Sequence, residues 1–165
     1  MARQRVVIDE AMRQVVDGQR LGYVATVCPD GTPNLSPKGT TYVWDDEHIA
    51  FADIRSPGTV ANLRQNPSVE INVVDPLSRK GYRFKGTAQL LEQGPEFESG
   101  IAFFRERGVT SAIRSVVMVR ITRALAVTSP AYDSGASESE IRARWSEFYG
   151  RQPHGNTSNS DAIDG

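Results

Sequence analysis

Residues 34–62 carry the strongest fold signals of the chain and read NLSPKGTTYVWDDEHIAFADIRSPGTVAN. Residues 49–52 form a short apolar run with the composition of a β-strand. Ser56 and Pro57 follow closely, and these residue types favour the N-cap and the first position of an α-helix. The helical spacing continues until Pro67, which ends it. The segment therefore predicts a strand that leads directly into a short helix.

The start of this predicted helix is a candidate anion site. A helix N-terminus presents free backbone N–H groups and the positive end of the helix dipole, and both suit a phosphate. Gly58 permits close backbone approach, Thr59 adds a hydroxyl, and Arg55 adds a charge. Lys38, on the preceding predicted strand, supplies a second cation. A capped surface helix without a ligand explains the same residues, so the residues alone leave both interpretations open.

Six strand patterns and four helical patterns follow one another along the chain. The strand patterns cover residues 21–27, 33–43, 48–52, 69–74, 82–91 and 116–127. The helical patterns cover residues 7–16, 57–66, 95–107 and 137–150. Short strands joined mostly by hairpins, without regular strand–helix alternation, predict a mainly β (α+β) fold. We expect a six-stranded antiparallel barrel with peripheral helices.

The composition limits the classes of function. The 165 residues, 39% hydrophobic and 24% charged, predict one globular domain over residues 1–150 and a disordered polar tail over residues 151–165. A net charge of −1 gives no general attraction to nucleic acid or anionic membranes. No apolar run approaches the roughly 18 residues of a membrane span, and no signal-peptide core is present. We expect a cytoplasmic protein with no nucleic-acid or membrane partner.

The residues also argue against several kinds of chemistry. The single cysteine, Cys28, excludes an internal disulfide and a multi-cysteine zinc site, and no metal site is predicted. Only His48 and His154 are present, and no nucleophile elbow accompanies them, so a hydrolase triad is disfavoured. A second basic cluster, Arg79, Lys80, Arg83 and Lys85, is either a solvated strand face or a contact to an anionic or planar ligand.

Three stretches, taken in order, resemble one known family. They are ATVCPDGTPNLSPKGTTYVWDDEHIAFADIRSPGTVANLRQNPSVEINVVD, GYRFKGTAQLLEQGPEFE and, more weakly, SVVMVRITRALAVT, which together cover about residues 20–128. The sequence is similar to the pyridoxamine 5′-phosphate oxidase-like, FMN-binding split-barrel family, and most similar to its short members related to the bacterial FMN-binding protein. The resemblance implies a six-stranded split barrel that forms a homodimer, with two FMN molecules in grooves between the protomers.

The resemblance also implies cofactor-binding residues: Ser36, Pro37, Lys38, Gly39, Ala52, Asp53, Arg55, Ser56, Gly58, Thr59, Arg79, Lys80 and Gly81. Residues 36–39 correspond to the strand that lines the isoalloxazine and ribityl chain, and residues 52–53 to the end of the next strand. Gly58 and Thr59 stand where the family commonly places Arg-Lys or Lys-Thr against the phosphate. Only the hydroxyl is kept, so the charge must come from Arg55, Lys38 or residues 79–80. Residues 80–81 correspond to an Arg-Gln pair at the flavin ring.

The resemblance implies an FMN-dependent oxidoreductase that acts on an unidentified small molecule. No side chain is an obvious general acid or base, which suits chemistry carried out by a cofactor. Two alternatives remain open: a deazaflavin-dependent reductase, and a non-catalytic flavin- or haem-binding sensor or electron carrier. Vitamin B6 oxidation is not expected, because residues 159–165, NSDAIDG, lack the family's Arg-containing, Pro-terminated motif.

Overall fold

A computed structural model describes residues 6–151 of the chain. The predicted tail, apart from its first residue, and the NSDAIDG segment lie outside the described residues. Seven strands are present within them: β1 Gly22–Val27, β2 Pro33–Lys38, β3 Tyr42–Val43, β4 His48–Asp53, β5 Ser68–Asp75, β6 Lys80–Leu91 and β7 Ser115–Thr128. The helices of the same residues are α1 Glu10–Gln19, α2 Pro57–Gln65, α3 Pro95–Glu106 and α4 Glu138–Gly150.

All strand pairs are antiparallel, and the strands form one sheet in the order β2-β1-β5-β6-β7-β4-β3. The first and last strands of this order are joined by residues 39–41 alone. A link of that length spans at most about 14 Å, so the sheet must curl until its two edges approach. The mainly β fold, an antiparallel split barrel with peripheral helices, is confirmed.

The prediction of one continuous strand over residues 33–43 is wrong. The chain leaves β2 because the Thr41 hydroxyl turns back and donates to Lys38 O at 2.8 Å, while Thr41 N–H donates to Arg20 O. Thr40 Oγ1 meanwhile contacts both backbone polar atoms of Ala52 on β4. These bonds carry the chain from one edge of the sheet to the other, and they account for the seventh strand.

Two apolar clusters lie on opposite faces of β4. Ile49 and Phe51 point into the barrel interior, which α1 closes with Val16. Alanines 50 and 52 point outward into a second cluster, where Phe104 of α3 covers them. Because β4 is buried on both faces, its sequence is continuously apolar rather than alternating. The strand then ends at Asp53, where the buried polar residues of the candidate site begin.

Candidate functional site

Lys38, the last residue of β2, is a buried lysine that joins two parts of the chain. It is only 4% exposed, and its Nζ donates hydrogen bonds to Ser36 Oγ at 2.6 Å and to Ser56 Oγ at 2.7 Å. Burial lowers the pKa of the Lys38 ammonium, and the carboxylate of Asp53 partly opposes that shift. An ammonium has three N–H donors, so one remains for a further acceptor.

Ser56 occupies the predicted N-cap position of α2, but its hydroxyl makes no capping hydrogen bond. The hydroxyl oxygen accepts from Lys38 instead. Pro57 has no N–H to satisfy, and no side chain of residues 6–151 accepts from the N–H groups of Gly58 or Thr59. The Ser56 hydroxyl thus bonds to Lys38 and does not cap the helix. Two helix N-terminal N–H donors are therefore open to an exogenous anion.

Asp53 fixes the turn between β4 and α2. Its Oδ1 accepts the Ser56 N–H at 2.9 Å, and the residue is buried. Ser115 of β7 lies directly opposite Asp53 in the sheet, and within the described part of the chain its buried Oγ has no hydrogen-bond partner. Ser115 was not predicted as a site residue, because only the register between β4 and β7 reveals its position.

The site is open to solvent on the α2 side. Arg55 and Gly58 are exposed, and Arg55 makes no ion pair with any residue that the structure describes. A Cβ added at Gly58 or at Gly39 would meet nothing within 4 Å. The available donors are thus the third N–H of Lys38, the Ser56 hydroxyl, two backbone N–H groups and the Arg55 guanidinium. This donor set fits a phosphate dianion.

Three of the predicted site residues have side chains that point away from these donors. Thr59 is 3% exposed, so its side chain is packed inside while its backbone lies at the start of the helix. The Ala52 methyl belongs to the cluster under α3. Pro37 is exposed and pairs with Tyr23 on the outer face of the hairpin formed by β1 and β2. Whether these residues contact a cofactor stays a prediction.

The basic segment at residues 79–81 lies elsewhere in the molecule. Lys80 pairs with Thr128 at one end of β7, whereas Asp53 pairs with Ser115 at the other end. The Arg79 guanidinium stacks 3.4 Å from the ring centre of Trp145, and Lys80 Nζ donates to Glu138 at 2.8 Å. In the described residues these two cations therefore contact α4, whereas Lys38 contacts Ser36 and Ser56.

Gly81 has a structural reason to be glycine. A Cβ at this position would lie 2.1 Å from the carbonyl oxygen of Val73 on the neighbouring strand β5. That contact is with backbone, which cannot move aside without disturbing the pairing of β5 and β6. The glycine therefore permits the close approach of two strands, and its predicted role at a cofactor stays untested.

Features typical of metal-binding or membrane-spanning proteins are absent from the described residues. Residues 6–151 hold no group of three or more His, Cys, Asp or Glu side chains that could bind a metal ion. No helix in the same range is long and apolar enough to cross a membrane. A cleft of about 1060 Å³, lined by residues of α1, β4, β6 and β7, lies away from Lys38.

Comparison with known proteins gives a family and several structural neighbours. The family profile described as pyridoxamine 5′-phosphate oxidase matches residues 8–128. No curated protein matches the chain. The crystal structure of tagged HupZ from Group A Streptococcus is 30% identical, with a TM-score of 0.67, and the match covers 74% of this chain and 95% of that one.

Two more distant structures share the fold. An FMN-binding protein from Syntrophomonas wolfei is 16% identical with a TM-score of 0.62, and the match covers 73% of this chain and 86% of that protein. An F420 reductase is 22% identical with a TM-score of 0.57, and the match covers 71% and 98% of the two chains. At these identities the likeness concerns the fold.

Proposed function

Because the chain belongs to the pyridoxamine 5′-phosphate oxidase family, we propose that it binds FMN at the start of α2 and acts as an oxidoreductase on a small molecule. The membership confirms the resemblance drawn from residues 20–128. A bound flavin supplies hydride or electron transfer. The residues of this chain hold and orient it. The observation that carries the proposal is the hydrogen bond by which buried Lys38 keeps Ser56 from capping α2.

The donors around α2 fit the phosphate of FMN. A phosphate monoester carries a charge near −2 at neutral pH and three acceptor oxygens. The N–H groups of Gly58 and Thr59 can donate to these oxygens at the positive end of the helix dipole. Lys38 supplies a desolvated positive charge, which binds an anion more strongly than an exposed lysine does. Arg55 adds an exposed charge in place of the family's Arg-Lys pair.

We also propose that the protein is a homodimer. On the outer face of β1 and β2 the side chains are apolar, and Leu35 is 65% exposed and Tyr23 46% exposed. A second copy that covers this face would remove that apolar surface from water. The Arg79–Lys80 segment, which contacts α4 rather than Lys38 within one chain, would then reach the flavin of the partner protomer.

The test is a titration of the cofactor-free protein with FMN, riboflavin and a deazaflavin, followed by fluorescence. Riboflavin lacks the phosphate, so FMN should bind at least tenfold more tightly. Lys38→Ala should reduce FMN affinity at least tenfold and leave riboflavin affinity unchanged. Lys85→Ala is the matched control, because Lys85 is an exposed lysine already paired with Glu70 at 3.2 Å. Equal affinity for FMN and riboflavin would contradict the phosphate site.

The same titration separates the alternatives. An F420 reductase shares the fold, and F420 is a deazaflavin with a longer anionic tail, so tighter binding of the deazaflavin than of FMN would favour that class. Arg83 and Lys85 both pair with Glu70, at 2.8 and 3.2 Å, and this pairing leaves less of their charge for such a tail. Tight flavin or haem binding without turnover by any reductant would favour a non-catalytic carrier or sensor.

A further inference from the structure

The outer face of the sheet carries a second cluster of chemistry-bearing side chains, outside the proposed flavin site. His48 on β4, Arg120 on β7 and Thr87 on β6 are direct cross-strand partners. The next row on this face holds Met118 and Gln89. Paired residues, and residues two apart on a strand, share one face of a sheet. These side chains therefore line one surface, and they line the cleft of about 1060 Å³.

Helix α3 covers only part of this face. Gly100 of α3 lies against Val116 so closely that an added Cβ would meet a Val116 methyl at 2.8 Å. The helix therefore seals the row that contains Val116 and leaves the row that contains His48 uncovered. A bulge at the junction of Lys85 and Gly86 then shifts the pairing of β6 and β7 by one residue.

The bulge returns Arg123 to the outer face of the sheet. Strict alternation would place Arg123 on the same face as Ile121, which is buried in the barrel. The extra residue, Thr122, reverses that alternation, so Arg123 is exposed and lines the cleft together with Arg120. No carboxylate among residues 6–151 pairs with Arg123, whereas Arg120 lies 3.5 Å from Glu47.

The imidazole of His48 has a fixed orientation. Its Nδ1 lies 2.8 and 3.0 Å from the two carboxylate oxygens of Asp45. A carboxylate only accepts, so Nδ1 carries the proton and Nε2 is the nitrogen left for a ligand. Asp45 is itself held, because its Oδ1 accepts the Glu47 N–H at 2.8 Å. Ile121 N–H also donates to Glu47 O, which ties the same turn to β7.

We propose that this cleft binds a small organic anion with an apolar body, such as an aromatic carboxylate. Arg123 contacts the anionic group, His48 Nε2 and Gln89 bind polar atoms beside it, and Met118 contacts the apolar part. The volume of about 1060 Å³ is slightly above the range of about 300–1,000 Å³ that is usual for small-molecule sites. A histidine–aspartate pair that served only to hold the turn would need neither an open cleft nor an unpaired arginine beside it.

The test uses the full-length ¹⁵N-labelled protein, titrated with benzoate and separately with inorganic phosphate. Benzoate should produce saturable NMR shifts at Gln89 and Arg123, and phosphate should shift Gly58 and Thr59 instead. Arg123→Ala should weaken benzoate binding at least tenfold, which corresponds to about 1.4 kcal/mol. His48→Gln should also weaken it. Arg144→Ala, an exposed arginine on α4, is the matched control and should bind benzoate like the unmodified protein.

Two outcomes would overturn the proposal: no saturable shift of cleft residues with benzoate, or an affinity that Arg123→Ala leaves unchanged. Arg123 is exposed, so this variant should fold even if His48→Gln disturbs the turn. FMN affinity is measured on the same variants. It should be unchanged by Arg123→Ala, so failure of the cleft proposal and failure of the flavin proposal give different results.

Discussion

At the scale of single residues, the protonation of Lys38 controls the proposed phosphate site. Burial lowers the pKa of its ammonium below the ordinary value of 10.5. The phosphate is bound by the charged form, so FMN affinity should fall as the pH rises through that lowered pKa, before 10.5 is reached. Fluorescence titration of FMN at increasing pH measures this. Lys38→Gln should remove this fall of FMN affinity with pH. Any ionisation of the flavin itself would affect the unmodified protein and the variant equally, so the difference between them reports Lys38.

Replacing two glycines by alanine should change the free energy of unfolding in opposite directions. Gly81→Ala should lower the free energy of unfolding by about 1–3 kcal/mol or more, because its Cβ would lie 2.1 Å from Val73 O. Gly18→Ala should raise it by about 0.5–1 kcal/mol, because Gly18 lies within α1 and an added Cβ meets nothing within 4 Å. Urea unfolding measures both. A neutral Gly81→Ala would contradict the close approach of β5 and β6.

At the scale of secondary-structure elements, two helices begin at a serine and use it differently. Ser137 opens α4 with a complete capping box, in which its hydroxyl accepts from Glu140 N–H. Ser137→Ala should cost about 1 kcal/mol and accelerate hydrogen exchange of the α4 amides. Ser56→Ala should leave α2 exchange nearly unchanged, because no capping bond is lost, and should weaken FMN binding. Equal exchange effects at both helices would contradict this contrast.

The sequence predicted the elements better than it predicted their contacts. Apolar spacing and cap residues located the four helices of residues 6–151, although α1 spans Glu10–Gln19 rather than the predicted residues 7–16, and the capping box of α4 is confirmed. The strand over residues 33–43 was predicted as continuous because Thr40 and Thr41 are residue types typical of strands, whereas the bonds of Thr40 to Ala52 on β4 form only in the folded barrel. The position of Ser56 at the N-cap was predictable. Its bond to Lys38 was not, because the two residues are eighteen apart and meet only through the fold.

At the scale of the whole molecule, the split barrel separates the two groups of predicted cofactor residues. Lys38 contacts Ser56 at the start of α2, whereas Arg79 and Lys80 contact Trp145 and Glu138 of α4. Residue spacing in the sequence did not predict this arrangement, because Trp145 and Glu138 follow Arg79 and Lys80 by more than fifty residues and meet them only in the fold. In the proposed homodimer the two groups act on one flavin from different protomers, which makes cofactor binding depend on assembly.

That dependence gives a direct prediction for Leu35, which is 65% exposed at the centre of the apolar face formed by β1 and β2. Leu35→Asp places a charge where a second copy would have to desolvate it, so light scattering should show a monomer. FMN affinity should fall at least tenfold although Lys38 and α2 are intact. Phe148→Asp, on exposed α4, is the control and should stay dimeric. A monomeric Leu35→Asp protein with full FMN affinity would mean that one protomer completes the site, and that Arg79 and Lys80 serve only to hold α4.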